Sequence, residues 1–139
     1  NALGSITIRE CLFAGNSATV KGGGIYSQDS LLITGCTFYD NSAVNGAAIF
    51  LRYSSTSVMD HCLVAYSPEG RGVDIGSTTT SCMVRCSDIF GNPDGDYWGA
   101  LADFFGIDGN ISANPLFCDT ALADFSLATN SPCATVNSE

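Results

Sequence analysis

Cysteines return at nearly even intervals, at positions 11, 36, 62 and 86, with spacings of 25, 26 and 24 residues. A period of this length says that each repeat is one small unit, which hides its apolar side only by stacking on its neighbours. Segments 5–13, 30–38, 56–64 and 80–88 align around the four cysteines. Five residues beyond the first three come Asn16, Asn41 and Ser67, while Asn92 follows the fourth by six, as though one residue were inserted.

Within a repeat the apolar runs are short and separated by Gly, Asn, Ser and Asp, as at 6–8, 11–13 and 23–26. Runs so brief are strands, and nothing shows a helical period. Three strands per coil, with coils stacked about 4.8 Å apart, make a three-sided parallel β-solenoid. The expected inward columns are Ile8–Ile33–Met59–Met83, Ile6–Leu31–Ser57–Ser81, Phe13–Phe38–Val64–Ile89, Cys11–Cys36–Cys62–Cys86 and the pair Ile25–Ile49. Asn16, Asn41 and Asn92 fall at a corner where stacked amides bond along the axis. Alternation turns Thr7, Leu32, Val58 and Cys82 outward, an apolar stripe suited to being covered.

The motif Cys-x-Phe-x-x-Asn-x-Ala and the run Gly-Gly-Gly-Ile-Tyr give the chain its family likeness. It resembles the right-handed parallel β-helix repeat proteins, which share the pectate-lyase type of solenoid and are common among secreted and surface proteins of bacteria. Coils are expected over 1–97. Over 98–139 a closing coil or cap completes the same domain, its Pro-Leu-Phe and Ser-Pro-Cys similar to the last coil of such proteins. The fold hosts lyases, hydrolases, epimerases, adhesins and spacers, so the likeness implies the scaffold and leaves the activity open.

Charge narrows the partners. Five Lys and Arg against fourteen Asp and Glu give a net charge of −9, too few cations to neutralise nucleic-acid phosphates or to hold an anionic membrane. No apolar run approaches the ~20 residues that span a bilayer. Seven cysteines favour an oxidising compartment, and the secreted reading takes any signal peptide as already removed. Segment 1–5 is too short to cap the first coil, so further coils of the same polypeptide, or another copy, are expected there.

Three groups of residues carry the functional alternatives. Asp60, His61 and Arg85 fall on outward columns before the cysteines, with Glu10 two coils away, and are the candidates for catalysis. Set against them is a solvated surface with incidental charge pairs. Asp94 and Asp96, in Asn-Pro-Asp-Gly-Asp, resemble the start of a calcium loop, although the same residues make an ordinary turn. No other cofactor is expected. A disulfide between Cys118 and Cys133 would pin the closing coil. The aromatics Tyr97, Trp98, Phe104 and Phe105 form either a sugar platform or a cover for the solenoid, and 110–112 is a formal glycosylation sequon. The expected role is a non-enzymatic extracellular or cell-surface scaffold of adhesion type. The alternatives are a head-to-tail filament subunit and a carbohydrate-active enzyme or carbohydrate-binding module.

Overall fold

The structure is a computed structural model and describes residues 4–53, 56–77 and 80–134; the last five positions of the closing segment lie outside them. Strands β1 (Ser5–Arg9), β4 (Ser30–Thr34), β7 (Thr56–Asp60) and β10 (Ser81–Arg85) form the first parallel sheet. The second holds β2 (Leu12–Ala14), β5 (Thr37–Tyr39), β8 (Leu63–Ala65) and β11 (Asp88–Phe90). The third holds β3 (Ile25–Ser27), β6 (Ile49–Leu51) and β9 (Val73–Ile75). Each of the first three coils therefore contributes one strand to each wall and the fourth contributes to the first two, and the walls enclose one core.

The inner columns follow from the pairing. Ile8, Ile33 and Met59 stack in the first sheet, Phe13, Phe38, Val64 and Ile89 in the second, and Ile25, Ile49 and Val73 in the third. The Phe13 and Phe38 rings lie 4.7 Å apart and 6° from parallel, so stacked coils bring like side chains face to face. At the corner after the second sheet, Asn16 donates through both its backbone N–H and its Nδ2 to Asn41 Oδ1, at 3.1 and 3.0 Å. Asn41 Nδ2 donates in turn to the Phe13 carbonyl at 2.8 Å. Asn92 repeats this under Ser67, accepting the Ser67 N–H and donating to Val64.

The fourth repeat corrects the expected register by one residue. Val84, not Met83, pairs with Met59, and Cys82, not Ser81, pairs with Ser57. Cys82 is consequently buried rather than outward, and Met83 is exposed. Ser87, not Cys86, completes the cysteine column. The Cys62 N–H donates to Ser87 Oγ at 3.0 Å, as the Cys11 N–H does to Cys36 Sγ at 3.5 Å. Ser87 Oγ donates to the Arg85 carbonyl two residues back, the bond that Cys36 and Cys62 make to Thr34 and Asp60. Counted from Ser87, Asn92 is five residues on and no insertion exists.

The column continues into the closing segment. Asn110 Oδ1 accepts the Ser87 N–H at 3.1 Å, its Nδ2 donates to the Val84 and Phe104 carbonyls, and Asp88 bridges to Ile111 in parallel. Coil-to-coil pairing thus reaches past residue 97. A 3-10 helix (Gly99–Phe104) lies against β10 and buries Leu101 in the core, closing this end. Tyr97 and Phe104 also pack on the core, whereas Trp98 and Phe105 remain exposed, so the aromatics are divided between cover and surface. Asn110 is 1% exposed, which removes the sequon as a glycan acceptor in the folded chain.

The chain then folds back along the outside of the second sheet. Strands β12 (Phe117–Asp119) and β13 (Asp124–Leu127) pair antiparallel, and Phe117 and Phe125 pack on Tyr39 at 5.6 and 5.0 Å. Tyr66 Oη donates to Asn114 at 2.8 Å. The covered stripe is thus on the second sheet; on the first, Thr7 and Met83 stay exposed.

All seven cysteines are free thiols. Cys118 is exposed on the antiparallel hairpin, while Cys133 Sγ donates to Asp88 Oδ2 at 3.0 Å, so the expected bridge between Cys118 and Cys133 is not formed. Burial raises the Cys62 thiol from 9.0 to about 11 and the Cys82 thiol to about 12. At mildly alkaline pH, iodoacetamide should therefore modify Cys11, Cys86 and Cys118 while sparing Cys36, Cys62 and Cys82, as peptide mapping would read. Above 9.0 an unfolded thiol releases its proton while these folded thiols keep theirs. Their contribution to stability is full below that value and falls as pH rises through about 11 and 12.

Candidate functional site

At the corner between the first and second sheets, four successive coils place one residue each in the left-handed backbone region: Glu10 (φ 52°), Gly35 (φ 63°), His61 (φ 53°) and Cys86 (φ 45°). Gly109 (φ 75°), just before Asn110, extends the column into the closing segment. The turn demands this conformation because each corner N–H must donate across to the next coil: Glu10 to Thr34, Gly35 to Asp60, His61 to Arg85 and Cys86 to Asp108. Non-glycine residues rarely adopt it, and here the ladder holds them in it.

Asp60, His61 and Arg85, the residues singled out for catalysis, do come together. His61 Nδ1 lies 2.9 Å from Asp60 Oδ1, and Arg85 Nη2 lies 3.5 Å from Asp60 Oδ2. Cys86 joins them: one ligand-type atom from each of Asp60, His61 and Cys86 lies within 4.8 Å of the other two. Reading Cys86 as a core rung hid this residue; the six-residue gap to Asn92 was the signal that its rung belonged to Ser87. Glycines bracket the pair. A β-carbon on Gly109 would lie 3.4 Å from Cys86 Sγ, and one on Gly35 would lie 3.6 Å from Glu10 Cγ. Glu10 lies across Gly35 on the first coil.

Two hollows flank the corner. One, of about 690 Å³, is lined by Asp60, His61, Met83, Arg85, Cys86 and Asp108. The other, of about 590 Å³, runs under the folded-back segment past His61, Cys86, Asp88 and Cys133. Asp88 is buried there, its Oδ1 accepting the Ala113 N–H at 2.9 Å and its Oδ2 the Cys133 thiol. Burial raises the Asp88 carboxyl, and burial together with that carboxylate pushes the Cys133 thiol up to about 12.

The calcium candidates are built differently. Asp96 accepts hydrogen bonds from the Gly91 and Asn92 N–H groups, Asn92 Nδ2 and Ser112 Oγ, at 2.8–3.2 Å. Protein donors thus occupy both of its oxygens. Gly95 N–H donates to the Asn92 carbonyl at 3.1 Å, closing a tight turn on which Asp94 is exposed. The Asn-Pro-Asp-Gly-Asp run is a turn fastened by Asp96, and calcium would have to displace those donors to bind.

Three registered parallel walls, about 25 residues per coil, define a β-solenoid repeat protein. The family model for the right handed beta helix region matches residues 2–96, and the chain belongs to that family. No curated protein and no solved structure matches the chain.

Proposed function

We propose that the chain is a non-enzymatic β-solenoid scaffold of the cell surface or extracellular space, which engages its partner through the β1–β2–β3 edge. The observation that carries this reading is the state of that edge. Ile6 is 47% exposed, and Ile8, Phe13 and Ile25 are only partly buried, although each heads a column that is sealed one coil further in; Leu12 beside them is 51% exposed. Unpaired strand edges with matched apolar columns are a template for another coil. At the opposite end 99–104 lies against β10 and covers the last strand of the first sheet, so the β1–β2–β3 edge is the one that favours stacking. The supported partner is a further coil of the same polypeptide, or a second copy meeting it edge to edge. Placement outside the cell draws on the family likeness; with Cys36, Cys62 and Cys82 filling the core, the cysteine number supports it less.

Two measurements test the reading. In sedimentation velocity the 14.5 kDa chain should associate as concentration rises, and Ile8→Asp should return it to monomer. A wild-type chain that stays monomeric throughout would speak against self-stacking. Acidic and neutral polysaccharides, offered with and without calcium, should all survive incubation; product release from any of them would replace the scaffold with the carbohydrate-active alternative.

A further inference from the structure

The left-handed corner offers chemistry that a scaffold does not need. We propose that Asp60, His61 and Cys86 form a binding site for a divalent transition-metal ion of the zinc class. The argument begins with the backbone. His61 and Cys86 occupy the same corner position on adjacent coils, with φ of 53° and 45°, so the solenoid repeat itself brings their side chains out side by side. Asp60 precedes His61 at the end of β7 and turns its carboxylate to the same place, Oδ1 meeting His61 Nδ1 at 2.9 Å. The three ligand atoms lie within 4.8 Å of one another, which modest side-chain rotation brings to tetrahedral spacing.

The donor set selects the ion. A thiolate and an imidazole suit zinc and its neighbours, whereas calcium and magnesium take oxygen ligands. Three protein ligands leave a fourth position for water, and the hollow lined by Met83, Arg85 and Asp108 opens onto it. Arg85 Nη2, 3.5 Å from Asp60 Oδ2, holds the second carboxylate oxygen and so fixes the direction of the first. Gly109, where a β-carbon would stand 3.4 Å from Cys86 Sγ, keeps that sulfur free of a neighbouring side chain. Binding converts the Cys86 thiol to thiolate and releases its proton to solvent, with no change in oxidation state. This inference is independent of the scaffold reading, which concerns the other end of the molecule.

The test uses the whole chain, reduced and freed of metal by chelator, titrated with zinc alone. One equivalent should bind, and Cys86→Ser and His61→Ala should each weaken it by roughly tenfold or more. Cys118→Ser, a change at an exposed thiol away from the corner, should leave the affinity unchanged. Cobalt in place of zinc should show thiolate-to-metal absorption that disappears in Cys86→Ser. On the unaltered protein, zinc should slow alkylation of Cys86 and not of Cys118, a readout that no folding defect can mimic. Absence of binding, binding indifferent to Cys86→Ser and His61→Ala, or equal protection of both cysteines would overturn the assignment.

Discussion

Phe38→Ala should lower the unfolding free energy by about 3–5 kcal/mol, the range for deleting a buried aromatic ring. Phe38 is fully buried and is the largest of the sealed side chains. It stacks on Phe13 at one side and stands above Val64 at the other. The cavity left by alanine has little means of closing. In a solenoid the coil spacing is set by backbone ladders on three walls, so neighbouring coils cannot sink into a gap in one column without breaking hydrogen bonds in all three. The facing wall is no softer: a β-carbon on Gly24 would stand only 3.3 Å from the Phe38 ring, so backbone rather than a mobile side chain lies opposite. Against a total stability of roughly 5–15 kcal/mol for a domain, the loss is severe. Urea denaturation followed by circular dichroism reads it as a fall in midpoint. Phe13→Ala, at the half-covered head of the same column, should cost clearly less. Equal losses at the two positions would mean that burial depth along the axis does not govern stability here.

The architecture was legible because stacking makes sequence period and spatial column the same thing. A cysteine every 25 or 26 residues, with Ile8, Ile33 and Met59 three residues before it, is a vertical line through the core. The reading failed where the pattern became degenerate. Ser81-Cys82-Met83-Val84 places three apolar residues in succession, so alternation fits either register, and Cys86 continues the cysteine period at the cost of one misplaced residue. What decides it is the network of buried bonds: only with Ser87 on the rung does the Cys62 N–H find an acceptor and Asn92 fall at the amide corner. The candidate site inherits this correction. Asp60, His61 and Arg85 were visible as outward residues of a strand end, but Cys86 becomes an outward side chain only in the corrected register. The glycine at 35, in column with Glu10 and His61, was the available sign that this position is left-handed in every coil.

The folded-back segment was hidden for a different reason. Phe117 and Phe125 meet Tyr39 from far along the chain, and no period links them. Such contacts depend on where the closing segment is steered after the last coil, and Asn110 is one of the side chains that fasten it there.

Asn110→Ala should accordingly destabilise the protein by at least about 2 kcal/mol, from two backbone groups left unpaired at roughly 1–3 kcal/mol each. The Ser87 N–H loses its acceptor and the Val84 carbonyl its amide donor, while the Phe104 carbonyl loses one of two donors and keeps the Ile107 N–H. Asn110 is buried, so water does not replace the missing amide without opening the end of the tube. The amide is also matched to its place in a way that no isostere reproduces. Aspartate keeps the acceptor for Ser87 but offers no donor to the two carbonyls, and leucine fills the volume while satisfying none of the three. Asn110→Asp and Asn110→Leu should therefore fail alongside alanine, which separates a lost polar network from a lost volume. Amide hydrogen exchange locates the damage: Ser87 should lose protection first, followed by Cys86 and Ile89, which donate to Asp108 and Ile111 of the same closing turn. If leucine preserves the urea midpoint and the protection of Ser87, the end of the solenoid is held by packing of Leu101 and the 3-10 helix rather than by this side chain.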